Sequence, residues 1–253
     1  MDPRLALVGL VGGFAVGLTG MGGGAILTPL LVLVLRVPPA AAIGSDLAAS
    51  LAMKPVAGGV HAKAGTVRWD IVGWLCAGSV PGAVVGAIAS SRLDTQQLKR
   101  IMAVSLLAAA VAMVVRGIQR SRTRKGESVE QSLVSVRPLA TLLVGVVGGT
   151  LVGMTSVGSG SLMIVALALL YPSLPAAVLV GSDLIQAIPL VAAATLTHLF
   201  VGEIRFGVTG LLLIGALPGA YCGARLSARP VNRLVRPALV TLLVASGLKL
   251  LTA

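Results

Sequence analysis

The residues predict an all-α polytopic membrane protein built from two inverted repeats. Each repeat is a glycine-tipped re-entrant helical hairpin plus three transmembrane helices. The first reason is composition. The 253 residues are 56% hydrophobic and 11% charged, where a soluble domain carries about 25% charged residues. Long apolar runs recur from end to end, and the mean hydropathy is +0.99. The second reason is a duplication. Residues 12–24, GGFAVGLTGMGGG, nearly recur as residues 148–160, GGTLVGMTSVGSG. The third is that the pieces between the copies predict an odd number of full crossings per half.

The elements follow in order. Residues 5–19 are apolar but give only about 22 Å of helix at about 1.5 Å per residue. That is short of a hydrocarbon core of about 30 Å. A turn at Gly20–Gly24 follows, then a second short piece at 25–36. The simplest geometry is a hairpin that enters the membrane and returns. Three longer spans are predicted near 39–61, 69–90 and 98–117. The second half gives a hairpin at 138–171 and spans near 175–199, 206–227 and 233–252. The first apolar run has no basic n-region beyond Arg4 and no A-x-A site, and its glycine pattern recurs. It is therefore read as fold and not as a signal peptide.

The duplication extends past the glycines. Gly44-Ser45-Asp46-Leu47 matches Gly181-Ser182-Asp183-Leu184, and residues 61–92 match 198–229 at 13 of 32 positions. His61/His198, Gly65/Gly202, Arg68/Arg205, Pro81/Pro218 and Gly86/Gly223 are among them. The predicted units are a first transmembrane repeat at 1–117, a basic cytoplasmic linker at 118–136 and a second repeat at 137–253.

Three crossings per half make the second half inverted, and the charges bear on this. The central stretch carries Arg116, Arg120, Arg122, Arg124, Lys125 and Arg137 against Glu127 and Glu130, so cation bias places it inside. Inversion then gathers Lys63, Arg68, Arg225, Arg229, Arg233 and Arg236 on the same side. It leaves Arg4, Arg36, Arg92, Lys99, Arg100, Arg205 and Lys249 outside. Parallel repeats would result instead if each broken segment crossed once. The net charge of +12 does not indicate nucleic acid, because the cations sit at the ends of apolar runs and aromatics for stacking are few. Cys76 and Cys222 form no CxxC or Cys/His cluster, so no metal site or cofactor is expected.

The ordered set of Gly17-Leu18-Thr19-Gly20-Met21-Gly22-Gly23-Gly24, Gly44-Ser45-Asp46, His61 and Pro81-Gly82-Ala83-Val84-Val85-Gly86, with its second copy, resembles the TauE/SafE family of sulfite and organosulfonate exporters. The likeness covers nearly the whole chain. It implies secondary transport of small, often sulfur-containing anions such as sulfite, thiosulfate or sulfoacetate across the bacterial inner membrane. The second copy reads Gly158-Ser159-Gly160 where the first has three glycines, so the two tips are not expected to bind identically.

A helix broken inside the membrane leaves amide donors unpaired, and a helix start carries partial positive charge. Gly22, Gly23, Gly24, Gly158 and Gly160 open the returning helices and let an oxyanion approach. Thr19, Thr155, Ser156, Ser159 and Ser161 add neutral donors. Tight packing of small residues is the structural alternative. Asp46 and Asp183, each after Ser45 or Ser182, lie within apolar spans, where a carboxylate is expensive. Two roles compete for them: proton coupling and capping of the open hairpin backbone. Lys54 is the one cation inside a span, suited to attract an anion or to pair with Asp46. Gln186 shares a helix face with Asp183 and can donate to an anion or to another helix. His61 and His198 suit a proton relay or plain interfacial placement.

The function expected is a secondary transporter exporting such an anion by alternating access, possible proton coupling included. Uptake of the same anions, or an anion channel or scaffold subunit, is the alternative. An enzyme is not expected, since neither a nucleophile–base set nor a metal cluster is in evidence. The partners expected are the anion and the lipid bilayer, with a homo-oligomer left open.

Overall fold

The computed structural model describes residues 3–19, 23–122, 135–202, 204–227 and 232–252. These are helical, with no strand among them. The first half has α1 (Pro3–Thr19), a single 3₁₀ turn (Gly23–Ala25), α2 (Leu27–Leu33), α3 (Pro39–Lys63), α4 (Trp69–Ser91) and α5 (Thr95–Arg122). The second has α6 (Pro138–Thr155), α7 (Leu162–Leu170), α8 (Ala176–Val201), α9 (Phe206–Ser227) and α10 (Asn232–Thr252). Among the described residues, five helices are long and apolar enough to cross a membrane. The linker expected at 118–136 lies largely at 123–134, outside the described residues. Before it, α5 continues to Arg122.

Both predicted breaks are present. In the second half, α6 stops where Ser156 takes the left-handed conformation, φ 59°, and α7 restarts at Leu162. Gly158 and Gly160 between them have φ of 125° and 88°, which strain any side-chain-bearing residue. The broken segment folds back on itself. Tyr171, just after α7, accepts from the Arg137 amide through its hydroxyl at 3.0 Å and bonds Thr141 Oγ1 at 2.5 Å. Arg137 and Thr141 lie at the start of α6, so both open ends of the hairpin meet. In the first half, Gly12 of α1 faces Leu27 of α2 as Gly148 faces Met163.

The halves are exchanged. α1 runs parallel along α9, and α6 runs parallel along α4. These contacts are backbone to backbone. A Cβ on Gly78, Gly82 or Gly86 would strike the carbonyls of Leu142, Val146 or Thr150, and one on Gly145, Gly149 or Gly153 would strike α4 in return. Small residues permit this approach, which replaces hydrophobic burial as the adhesive between helices in lipid. Gly82 and Gly219, each following a helix-interior proline, both make such contacts.

α3 and α8 cross the middle antiparallel. Gly58 of α3 faces Ile185 and Ile188, while Thr66, just past α3, lies on Gly181 near the start of α8. The interior is lined by Leu27, Leu31, Ile43, Leu47, Leu75, Leu106 and Leu167. Large apolar side chains also face outward, Phe200 at 87% and Leu139 at 71% exposure. A protein surface that rejects water in this way suits lipid contact.

Candidate functional site

The two hairpin tips meet against the middle of α3. Gly24 of the first tip lies so close to the Ser156 carbonyl of the second that a Cβ would overlap it. Asp46, about two turns into α3, is fully buried between them. Its Oδ2 accepts from Ser156 Oγ at 2.5 Å and from Thr28 Oγ1 of α2 at 2.9 Å. These two hydroxyls tie one carboxylate to both hairpins. Its Oδ1 makes no hydrogen bond.

Two turns along α3, Lys54 is buried and donates from Nζ to Ser159 Oγ at 2.9 Å. The residue that departs from the triple-glycine pattern is the one the buried ammonium reaches. Asp183 and Asp46 both lie within Coulombic reach of Lys54. Ser161, at the start of α7, is buried with no partner for its Oγ. Lys54, Ser159, Ser161 and the first turn of α7 therefore bring positive charge and hydrogen-bond donors to one tip.

The second aspartate is placed differently. Gln186 Nε2 donates to Asp183 Oδ1 at 2.9 Å, and Gln186 Oε1 accepts from Ser79 Oγ of α4 at 2.9 Å. Gln186 is thus held between its own helix and α4. Ser182 Oγ accepts the Arg68 amide at 3.0 Å, whereas its counterpart Ser45 has no partner for its Oγ. Arg68 itself pairs with Asp70, with Nε to Oδ1 at 2.8 Å. That carboxylate holds the guanidinium above its ordinary pKa.

The histidines also part company. His198 is buried and donates from Nε2 to the Gly153 carbonyl at 2.9 Å, binding α8 to the end of α6. His61 is half-buried and shares a 2.9 Å bond between Nδ1 and Thr66 Oγ1. Thr155 is buried and donates to the Leu151 carbonyl of its own helix at 2.7 Å. Gly22 lies outside the described residues, as does the side chain of Thr19. Thr28, Ser50 and Ser79 are polar members of the cluster that the motifs did not single out. Their only signal was a hydroxyl inside an apolar run.

The sulfite exporter TauE/SafE family model matches residues 5–250. The chain belongs to the TauE/SafE family. A probable membrane transporter protein of Bacillus subtilis (strain 168), YjnA, is 34% identical over 257 residues, covering 99% of this chain and 100% of the relative. A second from that organism, YdhB, is 25% identical over 249 residues, covering 98% and 99%. A probable membrane transporter protein of Haemophilus influenzae is 30% identical over 161 residues, covering 61% and 56%. No solved structure matches the chain. TauE/SafE membership, these relatives and the long apolar helices make this a multi-pass membrane transporter and not an enzyme.

Proposed function

We propose that the chain is a secondary carrier for a small oxyanion, sulfur-containing as the family description suggests, that exports it across the inner membrane by alternating access. The observation that carries this is the buried Lys54 ammonium bonded to Ser159 at a hairpin tip. The ammonium hydrogen-bonds a neutral hydroxyl and meets Asp46 and Asp183 only through space, and burial magnifies its attraction for an anion. Ser161 Oγ, buried with no partner at the same tip, supplies a neutral donor.

The antiparallel course of the repeat-equivalent helices α3 and α8 supports inversion, since an axis in the membrane plane reverses equivalent elements. The closed base of the second hairpin at Tyr171 supports a re-entrant segment with both ends at one surface. On this topology the basic linker lies in the cytoplasm.

Counterflow of radiolabelled thiosulfate into proteoliposomes tests the proposal. The wild-type protein should give saturable exchange. Lys54→Met should lower it by about 10- to 100-fold, the equivalent of a charged hydrogen bond worth about 1.5–3 kcal/mol. Ser159→Ala should weaken it less. Non-saturating flux would identify a channel, and undiminished exchange by Lys54→Met would remove the site from hairpin two.

A further inference from the structure

We propose a sodium-ion site at Asp46 Oδ1, between α3 and the first hairpin tip. Three observations on different elements converge there. Asp46 is fully buried, and while Oδ2 takes two hydroxyl hydrogen bonds, Oδ1 takes none. A buried carboxylate oxygen without a partner is costly and calls for a bound group. Ser50, one turn along α3, presents its Oγ to the same place. Gly23 opens that place: a Cβ there would come within 2.6 Å of Asp46 Oδ1 and 3.0 Å of Ser50 Oγ. The missing side chain leaves room between the two oxygens.

The donor chemistry selects the ion. Asp46 and Asp183 share the Lys54 ammonium, which leaves one negative charge for a singly charged ion, whereas divalent cations favour several carboxylates or many oxygen ligands. A proton is the poorer fit. Placed on Oδ1 it would itself need an acceptor, and Oδ1 has no hydrogen-bonding neighbour. A small cation accepts lone pairs from Oδ1 and Ser50 Oγ together without needing hydrogen-bond alignment. Thr28 and Ser156 direct their protons at Oδ2, which leaves Oδ1 open to a cation.

A cation bound there stands whether or not Lys54 holds an anion; only its coupling to flux rests on that reading. Melting of the purified full chain in detergent tests the site, with NaCl, KCl or choline chloride at fixed chloride and ionic strength. A ligand that binds only the folded state raises the melting temperature saturably. We expect that rise with sodium and not with potassium or choline. Ser50→Ala should shift the sodium midpoint at least about tenfold higher, the scale seen when a metal site loses a supporting group. Gly23→Ala, which fills the gap, should abolish the response. Equal melting in the three salts overturns the proposal, as does a wild-type sodium response in both variants. Ser50→Ala keeps the test decisive if Gly23→Ala fails to fold.

Discussion

At single residues, the tips are defined by what is absent as much as by what is present. Gly24 touches the Ser156 carbonyl closely enough that a methyl group has nowhere to go. Gly24→Ala should therefore push the two hairpins apart and cost about 1–3 kcal/mol, read as a lower melting temperature. Gly59 is the internal control. It lies on α3, and a Cβ there would meet nothing within 4 Å. Gly59→Ala should be neutral or stabilising by up to about 1 kcal/mol, because alanine loses less backbone entropy in a helix. Equal losses from both changes would show that the tips do not depend on contact. Ser156 makes a similar point from the other side. It holds a left-handed backbone without being glycine, a conformation costing about 1–2 kcal/mol. Its hydroxyl bond to Asp46 and its amide bond to Val152 hold it there.

At the level of elements, the boundaries were legible where polarity or glycine marks them. The broken segments came from glycine clusters inside apolar runs, and α8 spans Ala176–Val201 where 175–199 was expected. α5 is longer than the expected 98–117 at both ends. Its start is set by Asp94, whose Oδ1 accepts the Gln97 amide at 2.7 Å while Gln97 Oε1 accepts the Asp94 amide at 3.3 Å. This reciprocal cap satisfies the open first turn outside the apolar stretch. Hydropathy cannot see it, because a helix need not end where lipid does. The site was legible as single residues and illegible as pairs. Asp46, Lys54 and Ser159 stood out, but Thr28, Ser50 and Ser79 become partners only through packing of distant segments. Tyr171 closing the second hairpin was equally hidden. Tyr171→Phe removes the hydroxyl that joins the hairpin's ends and leaves the Arg137 amide and Thr141 without it. It should destabilise by about 1–3 kcal/mol, with faster alkylation of a cysteine placed at Leu139 and no change at the α3–α4 loop. Unchanged melting and alkylation would mean that the hairpin is held elsewhere.

Across the whole molecule, an imperfect symmetry bears on how the carrier would move. Ser45 and Ser182 are repeat equivalents, as are Arg68 and Arg205. The Arg68 amide bonds Ser182 at 3.0 Å, but the mirrored bond from Arg205 to Ser45 is not made, and Ser45 Oγ is left buried without a partner. α4 likewise packs more extensively on α8 than α9 does on α3. On the proposed alternating-access reading, making one of the two repeat-equivalent bonds would mark one of two related states, and exchanging the bonds would generate the other. Alternating access needs such an exchange, so locking either contact should stop transport. The Arg68 amide lies 3.0 Å from Ser182 Oγ, so with Cys76 and Cys222 replaced the pair Arg68→Cys and Ser182→Cys should come within reach of a disulfide, whose Cα atoms sit about 4.4–6.8 Å apart. Oxidation should form it readily and abolish thiosulfate counterflow, and reduction should restore it. The pair Ser45→Cys and Arg205→Cys should form slowly at rest and faster during turnover, again with loss of flux. Counterflow that survives a complete Arg68–Ser182 cross-link would mean that this contact belongs to a fixed scaffold, and the motion would then have to lie in the hairpins alone.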